Sequence, residues 1–333
     1  MPKVVADAID QVISLEMRFK AGLPRGVIRP LYEEARRVQG GDPLVYLAGT
    51  RLMETVGKRD FVLIVSGSGQ RFGLHKGETD GPPGAASLAR VLDFGLGARC
   101  VFVCDPDHVD PMVATVEAVG ISVIDAERLE RRPHTTVIEQ YPLGPEAGRP
   151  FARQLLDRYQ PKAVVFIEKT GPNTRGTHHS ITGTEKNAQE IGHAYHLAEL
   201  AREQGIFTLG VGDGGNEVGN GVIREAVERI QPHGPTVACA TSTDVLISAG
   251  VSNWGAYGAA AFLAYLLKDP ELFQNEELEA TMLRQCVAAG GTDGAYAAQI
   301  LSVDGTNLRT NVGLVSILQE IIRNGLKEVD RGF

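Results

Sequence analysis

Phe207-Thr208-Leu209-Gly210-Val211, followed at once by Gly212-Asp213-Gly214-Gly215-Asn216-Glu217-Val218-Gly219-Asn220-Gly221, carries the pattern that decides the fold. A short apolar run reads as a strand, a glycine-rich turn comes after it, and Val222 to Ile230 has helical spacing. The same order of strand, turn and helix recurs along the chain. Strands are expected at Phe61 to Val65, Arg99 to Cys104, Ile121 to Ile124, Ala163 to Ile167, Phe207 to Val211 and Thr236 to Ala240. Helices are expected near Pro83 to Phe94, Pro111 to Val119, Pro150 to Tyr159, Thr184 to Gln204 and Val222 to Ile230. Unbroken apolar strands alternating with helices indicate a mostly parallel sheet covered on both faces, a doubly wound α/β fold. Ahead of it, residues 1–58 read as a helical cap, with Val4 to Phe19 and Leu31 to Val38 helical; residues 59–333 form the α/β domain.

Composition narrows the function classes. With 333 residues, 43% hydrophobic and 22% charged, the chain can bury a large core and is neither disordered nor fibrous. Acidic side chains outnumber basic ones 41 to 33, and no Lys/Arg run is interleaved with aromatics, which speaks against nucleic acid as a partner. The charge-free stretch Val245 to Leu267 is broken by glycines and polar residues, poor material for crossing lipid, so no membrane partner is expected. The first twenty residues include Asp7, Asp10 and Glu16 and show neither a secretory nor a transit pattern, from which a cytoplasmic location is expected. Cys100, Cys104, Cys239 and Cys286 have neither disulfide-framework nor zinc spacing and read as buried thiols.

In parallel sheets ligands collect beyond the carboxyl ends of the strands, so the residues just after each strand matter most. Ser66-Gly67-Ser68-Gly69 comes after the first, and Glu78-Thr79-Asp80-Gly81-Pro82-Pro83-Gly84 then enters a helix. Turns of small residues and a helix N-terminus offer backbone N–H groups to an anion; the other reading is a plain tight loop with Asp80 as helix cap. Neither the Walker A nor the dinucleotide glycine pattern is present, so no nucleotide is expected, and pyridoxal phosphate is not expected either. Glu168-Lys169-Thr170-Gly171 comes after the fourth strand, where Lys169 either neutralises an acidic substrate or makes a surface ion pair, and His178-His179 reads as exposed loop. The fifth strand delivers six glycines in twelve residues, with Asp213, Asn216 and Glu217 among them, too costly in chain entropy for a mere connector. Asp213 and Glu217 supply hard oxygen ligands or a proton-transfer pair. After Thr236 to Ala240, Asp244 either completes an acidic ring or caps a helix from Val245, and Gly290-Gly291-Thr292-Asp293-Gly294 is placed to close the site from another loop.

Glu78 to Gly84, Ile167 to Gly171 and Gly210 to Gly219 resemble, in the same order, the signature segments of the D-glutamate cyclase C-terminal domain family, over the chain from about residue 60 to its end. The resemblance implies reversible conversion of D-glutamate to 5-oxo-D-proline with loss of water. The animal members are mitochondrial and carry a hydro-lyase-like domain ahead of these motifs, features this sequence does not display.

On that resemblance the expected partner is a small carboxylic acid, and a homo-oligomer is compatible with the sequence. Catalytic expectations fall on Asp213, Glu217, Lys169, Asp80 and Asn216: Asp213 or Glu217 moving the proton, Lys169 offsetting charge, Asn216 and nearby N–H groups stabilising the oxyanion. Substrate contacts are expected from Ser66, Gly67, Ser68, Glu78, Thr79, Gly84, Glu168, Gly214, Gly215 and Asp244. So much acid would repel the substrate, so either a divalent cation, Mg or Mn, held through Asp213, Glu217 and Asp80, or a protonated acid is expected. Two other classes stay open: a metal-dependent hydrolase or lyase acting on another carboxylated or phosphorylated metabolite, and a non-catalytic amino-acid-binding module.

Overall fold

Six parallel strands make one sheet in the computed structural model, which describes residues 1–17, 25–69, 73–126, 129 and 132–327. They are β1 (Phe61–Ser66), β2 (Arg99–Cys104), β3 (Ile138–Gln140), β4 (Ala163–Ile167), β5 (Phe207–Gly212) and β6 (Val245–Ser248), in the spatial order β3-β2-β1-β4-β5-β6. The chain winds outward from β1 to β3 and then crosses back to β4, so the direction of winding reverses between β1 and β4. That reversal opens a crevice beyond the carboxyl ends of these two neighbours.

The central strands are buried on both faces, and alternate side chains serve two separate apolar clusters. Leu63, Val65, Val101, Val103, Val164 and Phe166 pack beneath α6 (Pro145–Tyr159) and α7 (Tyr195–Glu203). Val62, Ile64, Phe102, Val165 and Leu209 join the larger cluster on the other face. There α4 (Pro82–Arg90), α5 (Val109–Ala118), α10 (Ser252–Leu266), α11 (Glu276–Ala288) and α12 (Leu308–Leu326) cover the sheet. The first three helices, α1 (Pro2–Ile13), α2 (Ile28–Val38) and α3 (Leu44–Thr55), bury Val5, Ile9, Ile13, Leu31, Tyr32, Leu44 and Leu52 in that same larger cluster. Asp10 ties them together: its carboxylate accepts the backbone N–H groups of Leu44 and Val45 at the start of α3 and the Tyr32 hydroxyl. The predicted end of the first helix at Phe19 lies outside the described residues.

The charge-free stretch from Val245 is β6 followed by α10, a helix buried almost all round, as an interior helix apolar on every side must be. No helix among the described residues is long and apolar enough to cross a membrane.

Three expected elements differ. Thr236 to Ala240 is no strand; Gly234–Val237 forms a helical turn, α9, and the sixth strand is instead Val245–Ser248, where a helix start was expected. A short run of small apolar residues led by the β-branched Thr236 and Val237 made Thr236 to Ala240 resemble a strand, but the preceding His233, Gly234 and Pro235 start a turn of helix that uses those backbone groups. Ser122–Val123, from the expected third strand, pairs only with Thr135–Thr136 in a two-residue ribbon, and β3 takes the sheet edge. The expected helix from Thr184 to Gln204 shortens to α7, because residues 178–190 are spent on a loop over the crevice, with α8 (Arg224–Ile230) following the next strand.

Candidate active site

Four strand ends deliver the side chains of the crevice: Ser66 to Gly69 after β1, Asp105 after β2, Glu168 to Thr170 after β4 and Asp213 after β5. Glu168 takes a left-handed backbone conformation with φ 50°, turning the chain at once, so that Glu168 and Lys169 both enter the crevice toward different partners. Glu168 Oε2 accepts the Ser252 hydroxyl at 2.6 Å, while Lys169 Nζ donates to Asp105 Oδ1 at 2.5 Å.

On the β4–β5 side the site is acidic. One carboxylate oxygen each of Asp80, Glu168 and Asp213 lies within 4.8 Å of the others, all three residues buried. Asp80 is held by the first turn of α10, accepting the N–H groups of Ser252 at 2.9 Å and Asn253 at 2.7 Å. Burial, then the charges of Asp304, Asp213 and Glu78, push the Asp80 carboxyl well up; burial, then Glu217 and Asp213, do the same to Glu168. Glu78 is pushed up to about 8, by burial first and then by Asp304, against the opposing pull of Lys186. Such crowding is relieved either by protons or by a cation. Three hard oxygen donors at this spacing suit a divalent cation that prefers oxygen ligands. Beside them Ser66 Oγ is fully buried and has no hydrogen-bond partner among the described residues, as expected of a polar wall facing a ligand. The acidic trio therefore fits a metal ion.

On the β1–β2 side the site is basic. Lys186 Nζ, buried, donates to Ser68 Oγ at 2.7 Å and to Thr170 Oγ1 at 2.9 Å, and the two hydroxyls are 3.0 Å apart. Burial lowers the Lys186 ammonium below the ordinary lysine value. Lys169 lines the same small hollow. Burial opposes the charge of its partner Asp105, yet Lys169 and His108 hold that carboxyl below the usual range, and Gly192 N–H donates to it as well. Asp105 and Gly69 also line an adjoining cavity of about 240 Å³ with His108 and Glu190. The His108 ring is clasped by Gly67, Gly69 and Gly77, where any Cβ would come within 3.1 Å of it. Burial lowers that imidazole to about 4, so it stands neutral at pH 7.

The expected site residues divide. Asp80, Glu168, Asp213, Lys169, Ser66, Gly67, Ser68 and Glu78 gather around the crevice. Glu217 does not offer itself for proton transfer or for metal: its oxygens accept the N–H groups of Asp213, Gly214 and Gly215 and the Asn220 amide, so it holds its own glycine loop in shape. Gly214 and Gly215 consequently present no free N–H to a substrate. Asn216 donates its amide to the His179 carbonyl at 3.0 Å, away from an oxyanion role. Gly84 N–H is taken by Asn253 Oδ1, and Thr79 is occupied by Ser302, Thr292 and Asn253. Asp80 caps α10 rather than α4. Asp244 sits at the opposite end of the sheet, before β6, accepting the backbone N–H and hydroxyl of Thr208. Lys169 makes a buried ion pair in place of a surface one, and His178 and His179 are buried rather than exposed. The Gly290 to Gly294 loop does reach the site: Thr79 N–H donates to Thr292 O, and a Cβ at Gly294 would collide with Glu78.

Asp105, Lys186, Ser252 and Asn253 escaped sequence reasoning. Asp105 had a signal, its place directly after a strand; Lys186 had none, lying in a stretch of ordinary helical composition.

A family model described as "D-glutamate cyclase-like, C-terminal" matches residues 32–319. The chain belongs to this D-glutamate cyclase-like family. The match contains every crevice residue named above. Among proteins of known function, the human mitochondrial D-glutamate cyclase is 32% identical over 195 residues, covering 57% of this chain and 30% of that protein. The chain thus spans under a third of the human relative's length.

Proposed function

We propose that this protein is a lyase of the D-glutamate cyclase type, interconverting D-glutamate with 5-oxo-D-proline and water. The observation that carries the reading is the juxtaposition, in one crevice of a D-glutamate cyclase-like domain, of the acidic trio Asp80, Glu168 and Asp213 with the lysine hollow of Lys169 and Lys186. A small acid with one ammonium and two carboxylates needs both signs of charge around it. The lysines and the Ser68 and Thr170 hydroxyls suit a carboxylate; the α-amine has Asp and Glu oxygens within the same crevice.

Cyclisation joins groups already present in one molecule, so holding the folded conformer supplies much of the rate advantage. In this reading Asp213 takes the proton that the amine loses, and Lys169 opposes the charge that develops on the carbonyl oxygen. A Mg or Mn ion bound by the trio would supply Lewis-acid polarisation of a carboxyl oxygen. A phosphorylated metabolite is the second reading, since lysines and hydroxyls also suit phosphate.

Purified protein incubated with each enantiomer of glutamate and of 5-oxoproline, with and without chelator, tests the proposal by chiral chromatography. Interconversion of the D-pair supports it. Absence of turnover with all four compounds, metal supplied, overturns it.

A further inference from the structure

We infer that Ser68 is a catalytic nucleophile and Lys186 its proton acceptor, so that lactam and amino acid interconvert through a γ-glutamyl ester on Ser68. The inference rests on the substrate reading above and adds a covalent route to it.

The geometry is specific. Ser68 Oγ, Thr170 Oγ1 and Lys186 Nζ lie within 3.0 Å of one another and are nearly closed from solvent, with the three residues 6%, 7% and 8% exposed. Among the described residues both hydrogen-bond partners of Lys186 Nζ are hydroxyls, and no carboxylate lies within ion-pairing distance; Lys169, its neighbour, is instead paired with Asp105. A purely structural buried lysine is ordinarily matched directly to a carboxylate, whereas the direct partners of Lys186 are hydroxyls and the charges of Glu78, Glu168 and Asp105 act on it from beyond ion-pair distance. An amine in hydrogen-bond reach of a serine oxygen is, however, what activates that oxygen as a nucleophile. Ser68 also stands between Gly67 and Gly69, which carry no side chains of their own, and its primary hydroxyl is less hindered than that of Thr170. Lys169, paired with Asp105, lines the same hollow, and its ammonium would share in offsetting the charge of a tetrahedral oxyanion formed there.

In the opening direction Ser68 Oγ attacks the lactam carbonyl carbon while its proton passes to Lys186. The C–N bond breaks, Lys186 returns the proton to the departing amine, and the γ-ester remains. Water then attacks the ester, the C–O bond breaks, and Ser68 regains its proton as glutamate leaves. Cyclisation runs the same steps backward: the ester forms with loss of water, and the α-amine displaces Ser68. No oxidant or second substrate is required.

The test is capture with hydroxylamine. The full-length protein is incubated with 5-oxo-D-proline and hydroxylamine, and γ-glutamyl hydroxamate is measured beside ordinary turnover for wild type, S68A and T170V. Wild type is expected to form hydroxamate; S68A is expected to form none and to lose turnover at least about a thousandfold, while T170V keeps both at reduced rates. Wild-type turnover without hydroxamate, or a folded S68A within tenfold of wild type in turnover, overturns the nucleophile and leaves the lyase reading standing. No wild-type turnover of either D-compound overturns both. If S68A fails to fold, S68C decides: hydroxamate formation blocked by iodoacetamide supports the assignment, and formation insensitive to iodoacetamide overturns it.

Discussion

Asp80 and Asn253 cap each other's helices across the crevice. The Asp80 carboxylate receives the first N–H groups of α10, from Ser252 and Asn253, and Asn253 Oδ1 receives those of Gly81 and Gly84 at the start of α4, at 2.9 and 2.8 Å. Asn253 Nδ2 also donates to the Thr79 carbonyl. Two loops far apart in sequence are thereby locked beside the acidic trio, with an anion favoured at each helix N-terminus.

Asn253→Ala removes three buried hydrogen bonds at once and leaves their backbone partners unsatisfied. A loss of about 2 to 4 kcal/mol is expected. Urea denaturation of the variant against wild type measures it.

Asp213 and Glu217 are four residues apart; Glu217 holds the glycine loop, and the proposed mechanism gives Asp213 the proton transfer. Asp213→Asn is expected to reduce turnover at least about a hundredfold with thermal unfolding little changed. Glu217→Gln gives up one of two carboxylate oxygens that hold the glycine loop and is expected to lower the melting temperature as well. Parallel assays of rate and melting temperature separate the two roles.

A divalent cation that binds the folded acidic trio stabilises the fold by mass action, by about 2.7 kcal/mol at a hundred times its dissociation constant. Mn or Mg is therefore expected to raise the melting temperature of wild type and to leave Glu168→Gln much less affected. Equal shifts in the two proteins, measured by differential scanning fluorimetry with chelator controls, would remove the trio as the ligand set.

Glu279, on α11 and facing Tyr257 of α10, is fully buried and receives a long bond from Gln274; burial pushes its carboxyl up to about 7, against the pull of Tyr257 and Gln274. A carboxyl raised in the folded state contributes stability below its ordinary value of 4.5, and that stability is lost as pH rises through about 7. The difference corresponds to something on the order of 3 kcal/mol between mildly acidic and alkaline pH. Glu279→Gln is expected to flatten this dependence and to melt higher than wild type at pH 9, as calorimetry from pH 5 to 9 would show.

Strands β1, β2, β4 and β5 were legible almost to the residue because each is an apolar run buried on both faces and ended by glycine or a charged residue. β6 was not, since Val245–Ser248 continues without a break in hydropathy toward α10, and only pairing with β5 makes it a strand. Within the site, the residues directly after β1, β4 and β5 were found, while Asp105 after β2 was missed. Glu217, Asn216, Gly84 and Thr79 were misassigned because local sequence cannot say whether a polar group will be taken by a distant partner.

The order of apolar strands, helices and glycine turns by itself determined a parallel α/β sheet with its chemistry at the strand ends, since burial on both faces and left-handed turns are local demands of the chain. Only the tertiary structure decided which acids face one another and which merely hold a loop, and that two lysines share a hollow beside them. Those facts depend on contacts such as Lys186 to Ser68 and Asp80 to Asn253, more than a hundred residues apart, and on the loss of water that makes every unpaired charge there costly.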